Sequence, residues 1–251
     1  VGEGSECFGF DAALSRDHDW GPGFCIWLTE SDYSRLGTTV QELYRSLPTA
    51  FEGWPPRRQM RTGADRVGCQ CIPLWYTRYT GCPHGPERLE QWRRVPEAFL
   101  AAAVNGAVFQ DPLGEFSAVR ERLLAFYPED VRLKKLAARL AVMAQAGQYN
   151  SPRCLRRGEL VAAQLALAAF MDAAMSAVYL LNRRYAPFYK WRHRGLQGLE
   201  RLPDAYAWFG ALAAAPGALE RAELVEAICR DTAEELRRQG LSSGTDAFLL
   251  P

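Results

Sequence analysis

From about residue 115 to its C-terminus this chain reads as one helix after another, and that run limits the folds open to it. "EFSAVRERLLAFYP", "EDVRLKKLAARLAVMAQAGQYN", "SPRCLRRGELVAAQLALAAFMDAAMSAVYLLNRRYAP", "FYKWRHRGLQGLERLP" and "ALERAELVEAICRDTAEELRRQG" all space their apolar residues three and four apart. Pro128-Glu129-Asp130, Ser151-Pro152 and Pro203-Asp204 supply helix-start signals. Successive apolar stripes must be buried against one another, so this half is expected to be a helical bundle. The first part differs. "FCIWL" (24–28) and "VGCQCIPLW" (67–75) read as strands, the second despite Pro73. "DYSRLGTTVQELYRSLP" (32–48) reads as a helix stopping before Pro48, and "EAFLAAAVNGAVFQD" (97–111) as a helix running into an extended piece, with Asn105-Gly106 as the turn. The expected fold class is therefore α+β: a small mixed-sheet domain over residues 1–114, then an all-α helical bundle domain over 115–251. A chain of 251 residues is long enough for both cores.

Composition narrows the partners. The net charge is +1, so bulk electrostatics give no reason to expect nucleic acid, and any anion site must come from a local cluster. The run "LVAAQLALAAFMDAAMSAVYLL" is interrupted by Gln164 and Asp172 and is Ala-rich, which suits close helix packing; no membrane partner is expected. Seven cysteines, an odd number set mostly at apolar positions, fit a reducing cytoplasm. "CQC" and "CPH" match no standard zinc spacing. The chain opens on "VGEGSE" with no leader pattern and no Met, from which a further N-terminal piece is expected.

The chemistry concentrates in "LSRDHDWGPG" (14–23). On a strand, Asp17 and Asp19 would aim two carboxylates at one side, the geometry a hard cation needs. An exposed turn produces the same pattern, and both readings stay open on these residues alone. Eleven residues separate Asp17 from Ser5 in "GEGSE", where a Gly-Ser pair lets backbone and hydroxyl approach a phosphate.

Gly-Ser, a spacer of about ten residues, then D-x-D before an apolar strand resembles the nucleotidyltransferase superfamily of DNA polymerase β and kanamycin nucleotidyltransferase. The four motifs "GEGSECFGFDAALSRDHDWGP", "NGAVFQDPLGEF", "GQYNSPRCLRRGE" and "LLNRRYAPFYKWRHRGLQGL" are together similar to the bacterial DUF4037 family of predicted nucleotidyltransferases. The resemblance implies a nucleotidyltransferase arrangement of the first domain. It implies that Asp17 and Asp19 hold Mg²⁺ and act as the catalytic acids, that Gly4 and Ser5 lie over a nucleoside triphosphate, with ATP as the donor, and that Lys190 holds its phosphates.

Other residues add to the expected site. Arg153 and Arg157, four apart, share a helix face and either bind phosphate or form structural salt bridges. Tyr149, Asn182 and Tyr185 are expected to face a substrate cleft, and Glu159 is a candidate general base. Trp191 is read as core, and His18 as packing behind the site. One departure stands out: the superfamily's third acid would fall on "VGCQCIPLW", which offers only Gly68 and Gln70, while Asp65, Asp111 and Glu115 lie nearby in sequence. The expected function is Mg²⁺-dependent transfer of a nucleoside monophosphate to a small-molecule acceptor. A catalytically weak nucleotide-binding or sensing protein is the alternative, and transfer to RNA or protein through the Arg57, Arg58, Arg61, Arg66 loop is the third.

Overall fold

Two short strands hold the first half of the chain together. In the computed structural model, which describes residues 1–16, 19–57 and 66–249, they follow a one-turn helix α1 (Ser5–Phe8) and a 3₁₀ turn (Ala13–Arg16). Strand β1 (Cys25–Leu28) pairs in parallel with β2 (Gly68–Cys71), Cys25 opposite Gly68 and Leu28 opposite Cys71. Between them runs helix α2 (Glu30–Ser46), started by Thr29, whose hydroxyl accepts from the Asp32 amide at 3.1 Å. Among the described residues these two strands are the whole sheet, in place of the mixed sheet expected.

"VGCQCIPLW" is strand only as far as Cys71. Ile72 opens helix α3 (Ile72–Thr80), with Pro73 in its first turn. Proline lacks an N–H that the first turn would leave unpaired anyway, so here it begins a helix rather than ending a strand. Helices α4 (Leu89–Arg94), α5 (Glu97–Val104) and α6 (Glu115–Leu124) complete the unit Val1–Phe126. Its core is aromatic: Trp27 of β1 lies edge-on to Trp75 at 4.9 Å and stacks on Phe116 at 4.6 Å. The Tyr76 hydroxyl donates to the Phe116 carbonyl at 3.0 Å. Helix α6 thus packs with the sheet, although the sequence texture grouped it with the bundle.

The second unit, Tyr127–Pro251, is helical. Helix α7 (Glu129–Val142) passes into a π-helix (Met143–Asn150), then α8 (Ser151–Arg156), α9 (Leu160–Leu181), the short α10 (Tyr189–Arg192), a 3₁₀ turn (Arg194–Gly198), α11 (Ala205–Ala214) and α12 (Ala218–Arg238). The "SPRCLRRGELV" run is broken where Gly158 takes φ +76, and "FYKWRHRGLQGL" forms only the two short pieces named. Helix α9 is long and apolar enough to cross a membrane by length and composition. Leu167, Phe170, Ala174, Ala177, Val178 and Leu181 are buried within the unit, and its Asp172 pairs with Arg192. The π-helix brings Gly147 against Phe170 so closely that a Cβ there would stand 2.3 Å from the ring.

Charge is also buried here. Arg132, 2% exposed, chelates Glu129 and reaches toward the Leu180 carbonyl, while Arg183 also donates to Glu129. Glu235 is equally buried and accepts from Arg201, Gln239 and Arg238 at 2.9, 2.8 and 3.2 Å. Burial alone would raise its carboxyl. The hydrogen bonds from Gln239, Arg201 and Arg238 outweigh that and hold it below its ordinary value.

Candidate functional site

The N-terminal segment is tied down before it reaches the site. Asn105, at the end of α5, donates to the Gly2 carbonyl at 2.6 Å and accepts from the Gly2 amide at 2.9 Å, while that amide also reaches the Ala102 carbonyl at 3.1 Å. The "NG" of "VNGAV" is therefore more than a turn: its side chain fixes "GEGS". Gly4 is the N-cap of α1. The Ser5 hydroxyl donates to Asp11 at 2.6 Å, so its proton is directed to a carboxylate within the protein.

Beyond this point the chain folds over a pocket of about 340 Å³ lined by Glu6, Asp11, Asp19, Trp20, Gly21, Pro22, Gly23, Phe51, Trp54 and Arg57. Three carboxylates and one guanidinium share one small concavity with three aromatic rings. Trp20 and Trp54 meet edge to face at 5.1 Å, and the Arg16 guanidinium lies 5.0 Å and 5.3 Å from their rings. Arg57 sits 3.7 Å from Glu6 with only 11% of its side chain exposed. Its Nη2 is buried and has no hydrogen-bond partner among the described residues. Gly21, at φ +133, allows the Arg57 backbone to pass where a Cβ would stand 2.9 Å from its Cα.

Asp17 and His18 lie outside the described residues, as do Arg58, Arg61 and Asp65. Asp19 lines the pocket, but not from a strand: it has φ +50, six residues before β1 begins, and it pairs with Arg66 at 3.6 Å. The expected alternation of i and i+2 on a strand therefore does not apply at Asp19. Two of the loop arginines, Arg57 and Arg66, are engaged with carboxylates.

The absence of an acid at residue 68 has a steric cause. Gly68 takes φ +91, and a Cβ on it would stand 2.6 Å from Gln41 Oε1 and 3.2 Å from Tyr44. That same Gln41 oxygen accepts the Cys69 amide at 2.8 Å. The positive φ favours glycine, and a Cβ would in addition press on the Gln41 amide and Tyr44 of helix α2. Asp111 does not approach the sheet as an acid; it accepts from the Gly114 and Ser117 amides at 3.0 and 2.8 Å and shapes the start of α6. Glu115 is exposed in the first turn of that helix.

The other expected site residues belong to the second unit. Lys190 is exposed, with Nζ 5.4 Å from the Trp191 ring. Arg153, half-buried, lies 4.7 Å over exposed Tyr149 at the junction of π-helix and α8. Glu159 is exposed at the N-cap of α9, and Arg157 is exposed beside it. Asn182 and Tyr185 are structural rather than cleft-facing. Asn182 donates to the Val178 and Arg201 carbonyls and accepts from the Arg201 amide, which joins the two loops. Tyr185 is buried edge-on to Tyr127 at 5.1 Å, and burial pushes its hydroxyl well above the ordinary tyrosine range.

Among the described residues no group of three His, Cys, Asp or Glu side chains is placed to hold a metal ion. All seven cysteines are free thiols, and burial raises those of Cys7 and Cys25, nearest the pocket segment, above their ordinary value. Sequence reading missed Glu6, Asp11, Trp20 and Trp54 and offered Arg57 only as part of a basic loop, because short turns and coil carry no periodicity to mark which residues converge.

Comparison with known proteins adds one finding. Residues 92–192 match the DUF4037 family, a domain of unknown function, which supports the resemblance to that family over this stretch. No curated protein and no solved structure matches the chain. The match takes in three of the four motifs, the last of them in part, whereas every residue lining the carboxylate pocket precedes it.

Proposed function

We propose that this protein is a Mg²⁺-dependent nucleotidyltransferase that moves a nucleoside monophosphate from a triphosphate, with ATP as the donor, to a small-molecule acceptor. One observation carries the reading: Glu6, Asp11 and Asp19 line a single pocket together with Arg57, Trp20 and Trp54, next to the Gly-Ser segment. In the reaction an acceptor oxygen or nitrogen forms a bond to the α-phosphorus. The bond to the bridging oxygen breaks, pyrophosphate leaves, and the acceptor loses its proton. Mg²⁺ needs only one or two protein carboxylates, since water and phosphate oxygens fill its other positions. Asp19 and Asp17 would hold it, and its charge would offset that of the phosphates. The chain's own part is to offer the Trp20, Trp54 and Phe51 rings to a base. Asp11 or Glu6 would take the acceptor proton, a role that Gly68, held at φ +91, does not fill.

A second reading, a catalytically weak nucleotide-binding protein, is favoured by the Asp19–Arg66 pair and the missing acid on β2. The third, transfer to RNA or protein, loses support because Arg57 and Arg66 are engaged with carboxylates instead of forming an open basic face.

The test is calorimetric titration of ATP, GTP, CTP and UTP with and without Mg²⁺. Asp17→Asn/Asp19→Asn is expected to lower Mg²⁺-dependent affinity by about tenfold or more, roughly 1.4 kcal/mol, with the fold intact. Lys190→Ala is expected to weaken triphosphate more than monophosphate. Equal nucleotide binding by the double variant would refute the metal-site reading.

A further inference from the structure

A second, larger pocket of about 810 Å³ adjoins the carboxylate pocket and shares Pro22, Gly23, Phe51 and Arg57 with it. Its remaining walls are mainly apolar: Phe24, Tyr44, Leu47, Pro48, Pro56 and Val67. The rings are held in place, since Phe24 meets Tyr44 edge to face at 5.2 Å and the Tyr44 hydroxyl accepts from the Phe24 amide at 3.4 Å. Its size lies within the roughly 300–1,000 Å³ of small-molecule sites, which combine apolar walls with a few polar groups. Among the described residues that line it, the charged groups are Arg45 and Arg57, both cationic.

Arg57 is the informative residue. It stands where the two pockets meet, its side chain is 11% exposed, and its ion-pair partner Glu6, at 3.7 Å, is beyond hydrogen-bond distance. Its buried Nη2 makes no hydrogen bond among the described residues. Buried guanidinium donors are normally satisfied, and a planar fork of N–H groups suits a carboxylate or sulfonate.

We propose that this apolar pocket binds a small amphipathic anion, an aromatic or aliphatic body seated among Phe24, Tyr44, Leu47 and Val67 with its acid group on Arg57. On the transferase reading, on which this assignment of role rests, that molecule is the acceptor, and the shared wall puts its polar end beside the carboxylates. The binding itself does not depend on that reading. Unlike an open apolar face, the pocket carries two arginines, and the buried Nη2 of Arg57, although ion-paired with Glu6, makes no hydrogen bond among the described residues; this suits an anion better than a neutral lipid or a protein helix.

The experiment uses two fluorescent probes on the full chain: 8-anilinonaphthalene-1-sulfonate, which is anionic, and N-phenyl-1-naphthylamine, its neutral counterpart. One saturable site per chain is expected for each. Leu47→Glu, at a half-exposed wall position, is expected to weaken both by about tenfold, since it places a charge against an apolar body. Arg57→Gln should weaken the sulfonate and leave the amine unchanged. Leu165→Glu, on the exposed part of α9, should change neither. Unchanged probe binding in Leu47→Glu and Arg57→Gln, or a loss caused by Leu165→Glu, overturns the proposal. Mg²⁺-ATP titration of the same samples separates the two ideas. Pocket-dependent probe binding with no nucleotide binding leaves this site standing and removes the transferase. Nucleotide binding with probe binding indifferent to Leu47 and Arg57 does the reverse.

Discussion

Placing an L-residue at position 68 should damage the fold before it can affect any chemistry. Gly68 holds φ +91, and a Cβ there would come within 2.6 Å of Gln41 Oε1, the acceptor of the Cys69 amide. Gly68→Ala therefore carries two costs. Forcing a residue with a Cβ into positive φ costs about 1–2 kcal/mol. Displacing Gln41 leaves a partly buried N–H without its acceptor, at about 1–3 kcal/mol. The expected loss is about 2–5 kcal/mol, a fall in urea midpoint of about 1–2 M. The assay is equilibrium unfolding followed by tryptophan fluorescence, since Trp20, Trp27, Trp54, Trp75 and Trp92 all lie in the first unit. Gln41→Ala removes both the obstacle and the acceptor, so in that background Gly68→Ala should cost only the backbone strain. The double-mutant cycle then reads a coupling of about 1–3 kcal/mol. Gly68→Asp, which would supply the third acid that the proposed transferase reading lacks, should lose stability similarly and gain no Mg²⁺-dependent nucleotide binding. A loss below about 0.5 kcal/mol, or equal losses in both backgrounds, would refute the argument, because surface substitutions without a mechanism fall in that range.

Two further predictions concern the helical unit. Gly147→Ala should destabilise it by about 1–3 kcal/mol through overpacking against Phe170, with part of the loss restored by Phe170→Leu; a thermal melt followed by circular dichroism reads both. Glu235 has a depressed carboxyl, so its contribution is present above the unfolded value of about 4.5 and is lost as pH falls through the lower folded value. The stability advantage of the parent over Glu235→Gln should be flat above about pH 5 and shrink below pH 4.5, and a difference that ignores pH would count against the buried ion cluster.

What the sequence determined by itself follows from local period and local chemistry. The apolar spacing beyond residue 115 announced α7, α9 and α12, "FCIWL" announced β1, and the segment before Pro48 announced α2, because a helix or strand face is written in neighbouring residues. Part of the pocket was legible in the same way: Asp19 stood out beside Trp20 and Gly21-Pro22. The tertiary structure decided everything that depends on residues distant in the chain meeting. It joined Asn105 to Gly2, directed Ser5 to Asp11, and put Arg57 against Glu6. It buried Tyr185 beside Tyr127 and used Asn182 to join loops, two residues whose polarity alone had pointed to a cleft. It also reversed the meaning of Gly68, which from sequence is a carboxylate that has been lost. In the fold it is a glycine at φ +91 beside the Gln41 and Tyr44 side chains of α2, and no local pattern carries the distance between a helix and the strand it covers.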